Sequence, residues 1–121
     1  MKYTVTECHF STREEALAEI VARGWHAMEY QVPAEETEMH WHDYDAVAFV
    51  LEGTLRTVFE DGSEIECGPG SRVEQPSRVV HRSDSSAYQA VFGFSVRRED
   101  MTRPISKPVA DLANELTPHR E

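Results

Sequence analysis

The chain predicts an all-β domain, an antiparallel sandwich or barrel, with a short helix ahead of it and another behind it. Three observations carry that expectation. Between residues 25 and 96 the apolar residues fall into short extended runs cut by Gly and Pro, the spacing of hairpin-linked strands. Helical periodicity is confined to two windows, residues 12–23 and 108–116. The 121 residues suffice for a single core and a single domain.

Taken in order, "STREEALAEIVARG" opens with Ser11 and has Glu14 three residues later. It places Ala16, Leu17, Ile20 and Val21 on one helical face and stops at Gly24. "WHAMEYQV" interleaves apolar and polar residues up to Pro33, as a strand does. "YDAVAFVLEG" and "TLRTVFEDG" are two extended runs joined near Glu52 and Gly53, the second ending in the turn pair Asp61-Gly62. Gly68-Pro69-Gly70 and Pro76 divide the next stretch into short strands. "AYQAVFGFSV" is a longer final strand, and "KPVADLANEL" a short amphipathic helix.

Twelve Lys and Arg stand against 22 Asp and Glu, a net charge of −10 that repels phosphate backbones and anionic membranes, so nucleic acid and membrane are not expected partners. No apolar stretch is long enough for a transmembrane helix and the N-terminus lacks an apolar signal core, which makes the cytoplasm the expected location. Cys8 and Cys67 form no Cys-x-x-Cys pair and read as reduced thiols.

In "EMHWHDYDAV", His40 and His42 are two residues apart. On a helix that spacing points them to opposite sides, whereas on a strand they share a face and can chelate. His81, in "PSRVVHRS", supplies a third imidazole if a closed sheet brings the two segments together, and such a set suits zinc, iron, copper or nickel.

These residues resemble the small single-domain cupins. The family's first motif is Gly-x5-His-x-His-x3,4-Glu-x6-Gly and its second is Gly-x5-Pro-x-Gly-x2-His-x3-Asn. His40, His42 and Gly53 match the first in register, and Gly70, Pro76 and His81 the second. The departures are Ala34 and Ala46 in the first motif, Arg78 for the glycine of the second, and Ser85 for its Asn. The resemblance implies a double-stranded β-helix, a jelly-roll-like barrel, holding one divalent transition metal (Fe, Zn, Ni, Mn or Cu) on His40, His42 and His81. It further implies a small-molecule ligand or substrate and a homodimer paired through sheet faces. Three-histidine iron sites occur among cupin dioxygenases, so a metal-dependent dioxygenase acting on a small, anionic or enolisable molecule is the leading expectation. A non-catalytic binding or sensing cupin and an isomerase- or epimerase-type cupin are the alternatives.

Strand parity sorts the neighbours. Tyr44 shares the face of His42 and is a candidate catalytic residue, as is Arg78 if it reaches the barrel mouth. Trp41 faces the other way, toward packing or a partner surface, and Trp25 and Cys67 read as packing residues. Ala46 vacates the carboxylate position, so the site is expected to have three histidines; Asp45, three residues past His42, should point outward, and Glu38 is the remaining acidic neighbour. His9, His26 and His119 fall outside the motifs and are read as surface or packing residues.

Overall fold

The computed structural model describes residues 2–116, with side chains to residue 112, so His119 lies outside the described residues. Strand β1 (Thr4–Thr6) precedes helix α1 (Arg13–Ala22) and strand β2 (His26–Val32). Two short strands, β3 (Glu35–Glu36) and β4 (His40–Trp41), lead into the hairpin of β5 (Ala46–Gly53) and β6 (Leu55–Phe59). Then follow β7 (Glu64–Cys67), β8 (Arg72–Gln75), β9 (His81–Ser85), β10 (Tyr88–Phe94), β11 (Lys107–Pro108) and helix α2 (Val109–Leu116). One sheet runs β1-β8-β5-β10-β2; the other runs β11-β4-β9-β6-β7, with β3 also on β9. Every pairing is antiparallel. The architecture is the all-β jelly-roll barrel with a helix at either end.

The run "AVAFVL" owes its unbroken apolarity to burial on both faces. Ala48 and Val50 join Tyr3, Leu55, Phe59 and Val73 in the core between the sheets. Val47 and Phe49 face outward and are covered by Ala16 and Ile20 of α1. A strand buried on both sides has no polar face to show, so alternation is absent. Gly93 permits this packing: a Cβ there would lie 2.9 Å from Ile20 Cγ1 and 3.0 Å from Val47 Cγ1.

Two details of α1 differ from the sequence expectation. The cap is Thr12, whose Oγ1 accepts from Glu15 N–H at 3.2 Å, one residue later than the Ser11–Glu14 box. Both Ser-x-x-Glu and Thr-x-x-Glu satisfy the pattern; the contact of His9 and Phe10 backbone amides with Gly70 O fixes where the chain enters the helix. Only Ala16 and Ile20 are buried, while Val21 is 70% exposed, because the helix rests on the sheet along a stripe narrower than the apolar face. A charge network clamps it there: Glu19 accepts from Arg72 Nη1 at 2.9 Å and from His9 Nε2 at 2.6 Å, and Arg23 pairs with Glu74.

Candidate metal centre

His40 and His81 are cross-strand neighbours on β4 and β9, and β9 also pairs Phe59 of β6 with His81. His42 follows β4 on the same face. Its carbonyl accepts from the Arg78 amide at 2.8 Å, which holds the segments carrying the two motifs together. The three rings meet: centroids lie 4.4 Å apart for His40–His81, 5.0 Å for His40–His42 and 5.3 Å for His42–His81. One donor atom from each lies within 4.8 Å of the other two, and the group could hold a metal ion.

Each ring is fixed by the same device. His40 Nδ1 lies 2.7 Å from Glu38 O, His81 Nδ1 2.8 Å from Val79 O, and His42 Nδ1 2.8 Å from Ile105 O. A carbonyl oxygen only accepts, so the nitrogen facing it carries the proton, and Nε2 is left as the lone-pair nitrogen of every ring. Three lone pairs gathered in one place repel one another unless a cation takes them, and carbonyl-fixed tautomers are how metal-ligating histidines are oriented. Burial holds His81 neutral, moving its pKa down to about 3, with the neighbouring His40 and His42 acting in the same direction. His42 is lowered also, first by burial. The residues fit a divalent transition metal.

Tyr44 is where its parity places it. Its ring stands 5.3 Å from that of His42 and the residue lines the cavity, with a pKa raised to about 12 by burial and then by Asp43, so it stays a donor at neutral pH. Ala46 lines the same cavity, so a longer side chain there would enter it. Asp45 turns away: its Oδ1 accepts from Ser77 N–H at 2.8 Å and its amide donates to Ser95 Oγ at 3.0 Å. Glu38 offers the site its backbone carbonyl, and its exposed side chain borders a neighbouring cleft.

Arg78 sits elsewhere than the barrel mouth. It borders a separate cleft with Lys2, Phe59 and Glu60, and its guanidinium donates to Ser77 Oγ at 3.2 Å. The family's glycine at this position has a visible reason, since φ here is 63°, in the left-handed region that Arg78 occupies at a cost. Trp41 is turned from the site, yet toward its own chain. It is 1% exposed, donates from Nε1 to Pro108 O at 2.8 Å and has Lys107 Nζ 6.0 Å over its ring, so the C-terminal strap takes the place of a partner surface.

Two groups at the site come from segments without a motif. Tyr3, ahead of β1, is 7% exposed and its hydroxyl reaches His81. Ile105, in the strap before β11, fixes His42. A tyrosine beside two threonines and a valine gives no signal of its own, and a backbone carbonyl gives none at all.

A cavity of about 280 Å³ opens from the histidines between the two sheets. Apolar Phe92, Phe94, Leu55 and Val32 and polar Tyr30, Tyr44, Tyr88 and Ser83 line its walls. Fold and site together define a small β-barrel with a metal-competent histidine triad at one end of its cavity. The family model described as "Cupin domain" matches residues 24–90, and the chain belongs to the cupin family. None of the curated proteins searched matches the sequence. Among solved structures, a DUF861 family protein from Thermotoga maritima superposes with a TM-score of 0.54 at 18% identity, over 75% of this chain and 97% of that one. The EutQ protein of Clostridium difficile gives 0.53 at 13% identity, over 77% and 67%. The oxalate decarboxylase of Bacillus subtilis, described with Mn(II) centres, gives 0.51 at 20% identity, over 76% of this chain and 26% of that one. At these identities the likeness concerns the fold.

Proposed function

We propose that this chain is a metal-dependent enzyme acting on a small molecule inside the barrel, of the three-histidine dioxygenase type. The observation that carries the reading is the shared orientation of His40, His42 and His81, each with Nδ1 tied to a carbonyl and Nε2 left over. When bound, a divalent metal held by neutral imidazoles supplies an undiminished positive charge for polarising a substrate and, as iron, a place for dioxygen. The chain's own residues do the rest. Phe92 and Phe94 keep water from one wall of the cavity, while the Tyr44 hydroxyl is placed to donate to a substrate oxygen beside His42. The homodimer is part of this proposal. Trp41 being covered, the exposed edge of β2 is the surface that a second copy would pair with.

Elemental analysis of protein purified without added metal or chelator, followed by dioxygen uptake with small carboxylates, thiols, diketones and amines, tests the function. Stoichiometric iron with substrate-dependent uptake is the expected result. Uptake without substrate specificity, or a metal-free protein that takes up no iron, would overturn it.

A further inference from the structure

The residues at the far end of the cavity have no part in the histidine centre, and they are chemically distinct from it. Along β9 the inward side chains run His81, Ser83, Ser85. Four residues at about 3.3 Å each separate Ser85 from His81 by about 13 Å. Opposite His81 on the neighbouring strand is His40; opposite Ser85 is Glu35. Directly opposed residues of antiparallel strands share a face, so Glu35 stands on the cavity side, and it borders the cavity there. Across from it Tyr88 of the other sheet is held firmly. Gly53 lies behind it with φ 77°, and a Cβ at Gly53 would come within 2.4 Å of Ala87 O and 2.8 Å of Tyr88 Cα.

The hydrogen-bonding capacity at this end is largely committed. Ser85 Oγ accepts from Arg56 N–H at 2.8 Å and donates to Arg56 O at 3.0 Å, and Thr37 Oγ1 accepts from Ser83 N–H at 2.9 Å. The Glu35 carboxylate and the Tyr88 hydroxyl have no hydrogen-bond partner among the described residues, and both border the cavity. No Lys or Arg among the described residues lines it. Arg98 donates to the Tyr30 hydroxyl at 2.9 Å from outside the lining, and Arg56, beside Ser85, is paired with Asp84 and Glu64. The chain's net charge of −10 biases the surrounding field the same way.

We propose that the Glu35–Tyr88 end of the cavity is a subsite for a primary ammonium group, so that the ligand joins a metal-binding donor at one end to a protonated amine at the other. The assignment rests on the metal-centre reading for the ligand's first end and narrows the anionic substrate expected from sequence to one with a cationic tail. An ammonium has three donors and no acceptor, which matches a carboxylate plus a phenol oxygen backed by aromatic faces. A carboxylate tail would meet Glu35 with nothing basic to offset it. Once the reach of the side chains is subtracted from about 13 Å, a chain of roughly five to seven carbons spans the two ends.

The test is calorimetric titration of the zinc-loaded protein with 6-aminohexanoate, hexanoate and adipate. The amino acid should bind about fivefold or more tighter than hexanoate, and adipate more weakly than either. In Glu35→Gln, an exposed position where folding is not at stake, the preference for 6-aminohexanoate over hexanoate should collapse toward one. Adipate binding as well as 6-aminohexanoate, or a preference unchanged in Glu35→Gln, would overturn the subsite. Hexylamine titrated into metal-free protein separates the two readings. Binding weakened by Glu35→Gln there sustains the subsite even if no metal loads, while zinc loading with no Glu35-dependent amine binding sustains the metal centre and ends the subsite.

Discussion

The Tyr3 hydroxyl lies 3.1 Å from both ring nitrogens of His81, a residue 78 positions away in the chain. Since the Nδ1 proton is engaged by Val79 O, the nitrogen open to Tyr3 is Nε2, the one His81 has to offer a metal. Burial raises the Tyr3 pKa far above its usual value, so the group is a neutral donor. Tyr3→Phe keeps the ring that packs on Phe59 and removes only that donor. Zinc affinity should rise about fivefold, because the metal no longer has to displace a hydrogen bond worth about 1 kcal/mol from that lone pair. Equal affinity in a competition titration would reduce Tyr3 to packing.

The metal-free protein should lose stability in mild acid for a reason specific to the triad. Unfolded imidazole takes up a proton as the pH falls past about 6.5. Folded His81 resists until about 3, because it is buried. Between these values protons bind the unfolded chain preferentially, so stability falls with pH by up to about 1.4 kcal/mol per unit for each such histidine. His81→Asn should show a shallower decline between pH 6.5 and 4 in urea titrations; a slope equal to that of the parent would contradict the assigned burial.

Arg78→Gly restores the family residue at a position with φ 63°. Relief of the left-handed penalty, about 1 kcal/mol, opposes the greater freedom of glycine in the unfolded chain and the loss of the arginine's own contacts. Stability should therefore change by less than about 1 kcal/mol, with metal content and ligand affinity unaltered, since the side chain borders a different cleft. A drop in ligand affinity would return Arg78 to the site.

The contrast between Tyr3 and His42 shows what the sequence could reveal. His40, His42, Ala46 and Gly53 lie within one continuous segment, where strand parity and fixed motif spacing decide the geometry, and the structure puts the two histidines and Ala46 on the cavity face. His81 needed the family register, because its pairing with His40 spans the barrel closure. Tyr3 and Ile105 reach the site, and Glu35 the far end of the cavity, only through β1–β8 and β3–β9 pairing and the β11 strap, contacts that local periodicity does not encode. Trp41 shows the complementary limit: parity gave its direction, but the choice between packing and a partner surface depended on a strap more than sixty residues later.

Asp45 separates a metal ligand from a structural acceptor. Its Oδ1 satisfies the Ser77 amide in the turn that leads to His81, well apart from the ring nitrogens. Asp45→Ala should cost about 1–2 kcal/mol of stability through that unsatisfied donor while leaving zinc stoichiometry at one per chain. Loss of zinc at unchanged stability would identify Asp45 as a displaced fourth ligand.

Lys107 decides whether the C-terminal strap positions His42 or only covers Trp41. Its Nζ donates to Pro104 O at 2.9 Å and Thr102 O at 3.3 Å and lies 3.9 Å from Asp43, so it pins the loop that presents Ile105 O to His42 Nδ1. Its charge acts in the opposite sense, since a cation near the site disfavours both a protonated His42 and a bound metal ion. Lys107→Met removes the pin and the charge together. If the strap orients His42, the loosened imidazole should lower zinc affinity several-fold, against the electrostatic gain, as losses of a ligand's hydrogen-bonded support do. Lys107→Arg, which keeps the charge, should lower it further whenever its planar head fails to reach both carbonyls. The sign of the Lys107→Met change is decisive: a rise in affinity, read by chelator competition, would mean that the field of the lysine outweighs its grip on the loop and that Ile105 does not position the histidine.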